Sequence, residues 1–532
     1  MSTELPKLPH DGGIRTFHME QFAGYNHTLG AKNGELWDVE NLTGDSYPLM
    51  ASRAPRHLAS ALLKPNGLYC TDKLFTVDGT TLYVDGVAAG TVTDTEKIFA
   101  GISGRVVIFP DKKIYTAEGE LEDLESEVSA SGLVFGNGTY AGESAELNTI
   151  THPTSGFDWS EYFKVGDAVA ITGTTDGEND RTPIIREIDG NKLRFYENTF
   201  AAARTYSGTV TLKRAVPDLD FICENENRLW GAKGDSLFCS KLGDPYNWNV
   251  FDGLSTDSWS VESGTPGDFT ACTSFLGYPV FFKEDRVFKV YGTKPSNFQV
   301  MGSATLGVLA GCHKTLAVAG ETLFYLSRVG MVAYTGGVPQ SVADAFGEVR
   351  YNGGAAGSDG TKLYVSLTDT EGGHTLFCYH TKMGQWYKED DTNALFMGYL
   401  NGVYALTASG SLMLLGTPLV VPQGATEESA FASWAEFADF TMDSFDGKYP
   451  VRLRLRAEID TGTTLSVLVR YDSGAGWEAA GTVTAGLKRS VYLPCPIRRC
   501  DHFRLKLAAT GGFKVYSMEW ELYDGTYQRK RG

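Results

Sequence analysis

Two thiols, an acid and an imidazole lie close together in LPCPIRRCDHFRLKL (493–507), as Cys495, Cys500, Asp501 and His502. Thiolate and imidazole are zinc ligands, but a closed tetrahedral centre needs four, supplied as a rule by a second paired motif. The chain has no C-x2-C and no H-x3-H to complete it. Pro494 and Pro496 flank the first cysteine and remove ladder donors, which marks a loop entering a strand. A zinc half-site, a disulfide and a packed strand entry are the three readings, and the strand entry is the expectation. His374, Cys378 and His380 share parity within one hairpin, where two ligands on one face start a zinc site but three without a partner more often pack or hydrogen-bond.

Paired acids do glycoside hydrolysis when two carboxylates stand roughly 5–10 Å apart in a cleft and one has a raised pKa. The runs KEDD (388–391), GEND (177–180) and LEDLESE (121–127) sit instead in turn-like, solvated sequence. There is no G-x-S-x-G elbow, no P-loop, no H-E-x-x-H and no S-x-D-x-G-x-x-W box. The expectation is a protein with no catalytic, cofactor-binding or metal-binding residues, and not an enzyme.

A different chemistry is suggested by VRLRLRAEI, where Val451, Leu453 and Leu455 alternate with Arg452, Arg454 and Arg456. In HFRLKLAA, Phe503, Leu505 and Leu507 alternate with Arg504 and Lys506, and Cys500 and His502 are expected to continue the basic side. Arg452, Arg454, Arg456, Arg504 and Lys506 form a candidate interaction face for an acidic partner. The alternative is a solvated face that guards a strand against edge aggregation.

The elements that must position these residues are strands. Gly is abundant (61 of 532 residues), aromatics reach 12%, and long helix-forming stretches are scarce. A β-run, a Gly/Asp/Ser break and a second β-run recur seven times, as in LFTVDGTTLYVDG from Leu74 and PVFFKEDRVFKVYG from Pro279. With Leu82, Ile114, Leu237, Val287, Val332, Leu376 and Leu412 as anchors, the spacings are 32, 123, 50, 45, 44 and 36 residues. Removing about 80 residues from the long gap brings it near the ~40–50 of a four-stranded propeller blade.

The sequence thus predicts an all-β protein: an N-terminal arm (1–65), a β-propeller of about seven repeats (66–134 and 216–418), an inserted small β-barrel (135–215), and a C-terminal β-sandwich (425–532). One or two long sandwiches are the rival architecture. The N-terminal MSTELPKLPHDGG lacks the basic start and apolar core of a secretory signal, and no apolar run of membrane-spanning length follows. Reduced, buried thiols are expected for the eight cysteines. The net charge of −18 argues against a general nucleic-acid binder. From residue 425 on, 15 basic residues face 14 acidic ones, so the negative excess belongs to the propeller and insertion.

NRLWGAKGDSLFCSKLGDPYNW (227–248), YPLMASRAPR (47–56), the blade-like VFFKEDRVFKVYGTKPSNFQV (280–300) and LFYLSRVGMVAYTGGVPQSVA (323–343), and the C-terminal KRSVYLPCPIRRCDHFRLKL (488–507) together resemble tail structural proteins of tailed bacteriophages, of the packaged-DNA stabilisation or tail nozzle type. The resemblance implies a virion protein assembled in the host cytoplasm. It implies a homo-oligomeric ring, usually of six, below the portal, with portal, adaptor and other tail proteins as partners. It further implies non-specific passage of double-stranded DNA, retention of the packaged genome, guided ejection, and no membrane insertion. It carries over no catalytic residue and no cofactor. The runner-up is a phage or secreted propeller that binds or degrades carbohydrate, including as a receptor-binding protein.

Overall fold

Short strands that are apolar on both sides must be covered on both faces. In the computed structural model, which describes residues 14–32, 34–137, 148–196, 199–442, 447–474 and 476–524, small antiparallel sheets stack to meet that demand. The described residues form strands and single-turn 3-10 segments, with no α-helix among them. The protein is an all-β propeller carrying an inserted barrel and a β-sandwich.

The chain divides into two compact units, residues 66–313 and residues 1–65 with 314–532. In the former, four-stranded sheets cover 65–91, 98–123, 221–262 and 271–304, referred to below as blades one to four. The second blade shows why they stack. Along Arg105–Phe109, Val106 and Ile108 enter a core with Phe75, Val77 and Leu82, whereas Val107 and Phe109 enter another with Ile222 and Leu229. A one-residue slip would exchange the two cores, so register is held from both sides.

The insertion is a six-stranded sheet whose first and last strands, Ser126–Gly136 and Arg204–Arg214, run side by side from the pair Ser126 and Arg214. It therefore leaves and rejoins the propeller at one place. Its two outermost strands are linked by Val169 N donating to Pro183 O (3.0 Å) and Ile185 N to Asp167 O (2.9 Å), which nearly closes a barrel. Trp159, Phe135, Phe195, Phe200 and Tyr206 fill the interior. The first strand starts at Ser126, upstream of the expected 135, because SEVSASGLVFG follows the acidic run without a turn residue to mark the entry.

Residues 314–532 with 1–65 contain three further blades, at 317–341, 351–388 and 394–415, and the sandwich. The last blade draws its fourth strand, His57–Ala61, from the N-terminal segment. All seven anchor residues lie on the third strand of a blade and are at most 3% exposed.

The expected N-terminal arm is corrected here. Ile14–Met19 pairs with Phe513–Asp524, Leu36–Glu40 with Ala432–Phe437, and Met50–Ser52 with Phe513–Asp524. These short strands find their partners hundreds of positions away, so no local period announces them; residues 1–13 lie outside the described residues. In the sandwich, Lys448–Tyr471 is one long strand whose first half pairs with Phe513–Asp524 and whose second half pairs with Phe503–Thr510. Phe503 and Trp520 meet in the core with ring centroids 4.9 Å apart.

Candidate functional site

The five basic residues of the expected interaction face do not come together. Arg452, Arg454 and Arg456 lie on the first half of the long strand, beside Phe513–Asp524, while Arg504 and Lys506 lie on the strand that pairs with its second half. Each group also has acids or rings from its own molecule. Arg454 bonds Glu519 (2.7 Å) and Glu521, and Arg452 stands 3.5 Å from Glu521. Arg504 reaches Asp439 (2.6 Å) and Glu436 (3.0 Å), and the Lys506 ammonium sits 3.7 Å over the Trp434 ring. The acids were hidden from sequence reading because they arrive on segments 65 to 69 positions away in the chain.

His502 is half-buried like Arg504 and Lys506 and continues their alternation with buried Phe503 and Leu505, whereas Cys500 departs from the expected basic side. Cys500 is 2% exposed and its thiol donates to Lys448 O (3.5 Å), while His502 turns to Ser473 (2.8 Å) and Asp501 (3.2 Å). Cys500 lies ahead of the strand Phe503–Thr510, in an isolated bridge with Lys448, so the alternation does not extend back to it. Burial pushes the Cys495 and Cys500 thiols up to about 12. His374, Cys378 and His380 do occupy one strand, yet both nitrogens of His374 are engaged, by Thr368 (3.0 Å) and Asn393 (3.1 Å). No group of three or more His, Cys, Asp or Glu is placed to hold a metal ion among the described residues.

The acidic runs are structural partners. Glu389 and Asp390 of KEDD each take Arg56 at 2.7 Å, and Arg53 grips Glu428 through two nitrogens (2.7 and 3.1 Å). The YPLMASRAPR segment thus ties the N-terminal strands to the sixth blade and to the linker before the sandwich. Burial raises the Asp390 carboxyl, but the Arg56 guanidinium outweighs it and holds the group below its ordinary range. In GEND, Glu178 meets Arg204 (2.9 Å) and Asp180 accepts from Thr174. In LEDLESE, Asp123 pairs with Lys113 (2.6 Å) and Glu125 with Lys112 (2.9 Å).

GDPYNW is likewise a joint. Asn247 donates to Asp244 (2.8 Å) and Asp167 (3.0 Å) and accepts from Ala168 N (3.0 Å), which binds the barrel to the third blade. Arg214 completes it by bonding Asp167 at 2.6 Å. A second titratable cluster sits on the sixth blade, where Lys362 bonds Asp45 (2.9 Å) and His380 Nε2 stands 3.7 Å from the same carboxylate. Burial lowers the His380 imidazole pKa, against the pull of Asp45.

One feature that sequence reading missed is an open cleft of about 550 Å3 between the third and fourth blades. Its rim is formed by two tight hairpin turns, Glu226–Asn227 (φ 50° and 59°) and Leu276–Gly277 (φ 53° and 78°). Asn225 Nδ2 donates to Ser274 Oγ (2.8 Å) and locks the turns side by side. Tyr278 and Tyr291, 37% and 38% exposed, lean on each other with centroids 4.8 Å apart. Trp230 and Phe298, 5.1 Å apart, line the interior. The signal available in the sequence was the pair of tyrosines at the ends of YPVFFKEDRVFKVY, which a hairpin brings together.

No family model and no curated protein matches the chain. Among solved structures, it is similar to the β-propeller domain of the Trilobed protease from Pyrococcus furiosus, at 10% identity, TM-score 0.26, and coverage of 56% of this chain and 98% of that one. It is also similar to an exo-beta-1,3-galactanase from Phanerochaete chrysosporium (11% identity, TM-score 0.22, 56% and 94% covered). A glycoside hydrolase family 43 arabinoxylan arabinofuranohydrolase from Bacillus subtilis matches at 10% identity and TM-score 0.15, with 58% and 79% covered. The expectation that the chain is not an enzyme is corrected: the solved structures it is similar to include an exo-beta-1,3-galactanase and an arabinoxylan arabinofuranohydrolase, and the expectation is withdrawn. No helix among the described residues is long and apolar enough to cross a membrane.

Proposed function

We propose that this chain is a structural protein of a bacteriophage tail, acting as a ring-forming nozzle or adaptor below the portal. What supports the reading is the use made of the phrases that carry the family resemblance. YPLMASRAPR and GDPYNW supply buried ion pairs and hydrogen bonds that join one β module to the next. In this reading function is geometric: rigid modules set a channel, other copies of the chain and the portal or adaptor protein set its position, and DNA passes without base-specific contact. An acidic wall repels phosphate and lets the duplex slide. Mass spectrometry of purified virions and negative-stain images of the protein with its portal-proximal partners test this. Rings on the tail axis are expected; absence of the chain from virions overturns it.

A second reading is favoured by the cleft between the third and fourth blades, whose exposed tyrosines suit a propeller that binds carbohydrate. Retention on immobilised neutral polysaccharides tests it, and free passage through all of them overturns it.

A further inference from the structure

We propose that the cleft between the third and fourth blades is a binding site for a neutral saccharide, an inference that rests on the second reading above. Three features select this chemistry. The first is the aromatic platform: Tyr278 and Tyr291 stay more than a third exposed although both end strands of a well-packed sheet. Pyranose rings present an apolar C–H face to such rings while their hydroxyls remain hydrogen-bonded at the edge, and tyrosine offers both kinds of surface.

The second is the state of the cation. Arg228 lines the cleft, but its guanidinium is already bound to Ser240 O (2.9 Å), Asp257 O (2.6 Å) and Ser255 O (2.7 Å). It is 3% exposed, so a phosphate, uronate or sialate entering the cleft would meet no available counter-charge there. The third is the rim. Glu226 stands at the lip on an exposed turn and offers a carboxylate that accepts from hydroxyl pairs, and it repels anions. Leu276, 55% exposed, holds a left-handed φ of 53° at the opposite lip. A branched apolar residue is unusual in that conformation, where Gly, Asn or Asp is the ordinary choice. Together the two turns make an amphipathic slot: apolar on the blade-four side, hydrogen-bonding on the blade-three side.

The test uses the full chain with maltotetraose, laminaritetraose and mannotetraose as neutral probes and sialyllactose as the anionic one, followed by saturation-transfer NMR and calorimetric titration. At least one neutral probe is expected to bind. Tyr278→Ala and Tyr291→Ala should each weaken it about tenfold, and Tyr291→Phe should bind nearly as well as the wild type. Thermal melts of the variants report whether the blade remains folded, and Leu276→Glu, a change at the exposed opposite lip that leaves the blade core untouched, should also weaken the neutral probe and keeps the test valid if the alanine variants do not fold. Neutral-probe binding that survives the Tyr278→Ala/Tyr291→Ala double variant overturns the site while leaving the glycan-binding reading in place. Preferential binding of sialyllactose overturns the neutral assignment. No binding by any probe at about 10 mM overturns both the site and the second reading, and leaves the tail assignment untouched.

Discussion

Arg56 is held between Glu389 and Asp390 with its side chain 6% exposed, and Arg53 stands 3.8 Å from the same Glu389. Removing one member leaves buried charge without a partner, so Arg56→Ala should cost about 3–5 kcal/mol, read as a lower urea midpoint with unchanged slope. Asp390 and Glu428 have carboxyls held below their unfolded values: burial raises both, and the arginines more than reverse it. Their contribution to stability is complete above the unfolded carboxylate range, about pH 4, and is lost as pH falls through the folded values. Urea midpoints taken between about pH 5 and 3 should therefore fall steeply in the wild type and less steeply in Arg53→Met/Arg56→Met. Thiol chemistry belongs to the same scale. Burial pushes Cys70, Cys239, Cys495 and Cys500 up to about 12 and Cys312 to about 11. Ellman's reagent at pH 8 should react slowly with the native chain and with all eight free thiols once guanidinium unfolds it.

At the scale of elements, the long strand of the sandwich separates its two faces cleanly. Leu453 is fully buried, whereas the Arg454 side chain is 38% exposed among Glu519, Glu521 and Tyr492. Leu453→Ala should cost about 2–5 kcal/mol and Arg454→Ala under about 1 kcal/mol, measured by denaturant unfolding. The barrel offers a second test, because its terminal strands begin and end at the pair Ser126 and Arg214. Joining Glu125 to Ala215 through a short Gly-Ser linker should leave a chain that still melts cooperatively, at a lower temperature, since Asn247 then loses Asp167 and Ala168. Loss of a cooperative melt would show instead that the third blade needs the barrel to fold.

At the scale of the whole molecule, net charge sets behaviour towards nucleic acid. With a net charge of −18, the chain should give no retarded band with linear double-stranded DNA at about 150 mM salt, even where it lines a DNA path in an assembled ring. A tight, salt-sensitive complex would count against the sliding-wall account. The tail reading and the saccharide site are separable, since a ring component can present a glycan-binding cleft on its blades.

Much of the architecture was legible in the residues themselves. The seven hairpins were readable because the second and third strands of each blade are consecutive in sequence, apolar, and joined by a short polar or Gly-containing turn, with Leu82 and Leu412 at the two ends of the series. The alternation of VRLRLRAEI fixed which side chains are buried, because strand periodicity is a property of the backbone. Tertiary structure alone decided who their neighbours are. It paired Ile14–Met19 with the last described strand, gave the last blade His57–Ala61, and supplied Glu519 and Glu521 to arginines that looked available. It also set two hairpin turns side by side to open the cleft at Tyr278 and Tyr291. The physical reason is common to all four: period and turn chemistry act over a few residues, whereas sheet edges, ion pairs and clefts arise between segments whose separation in the chain carries no record of their meeting.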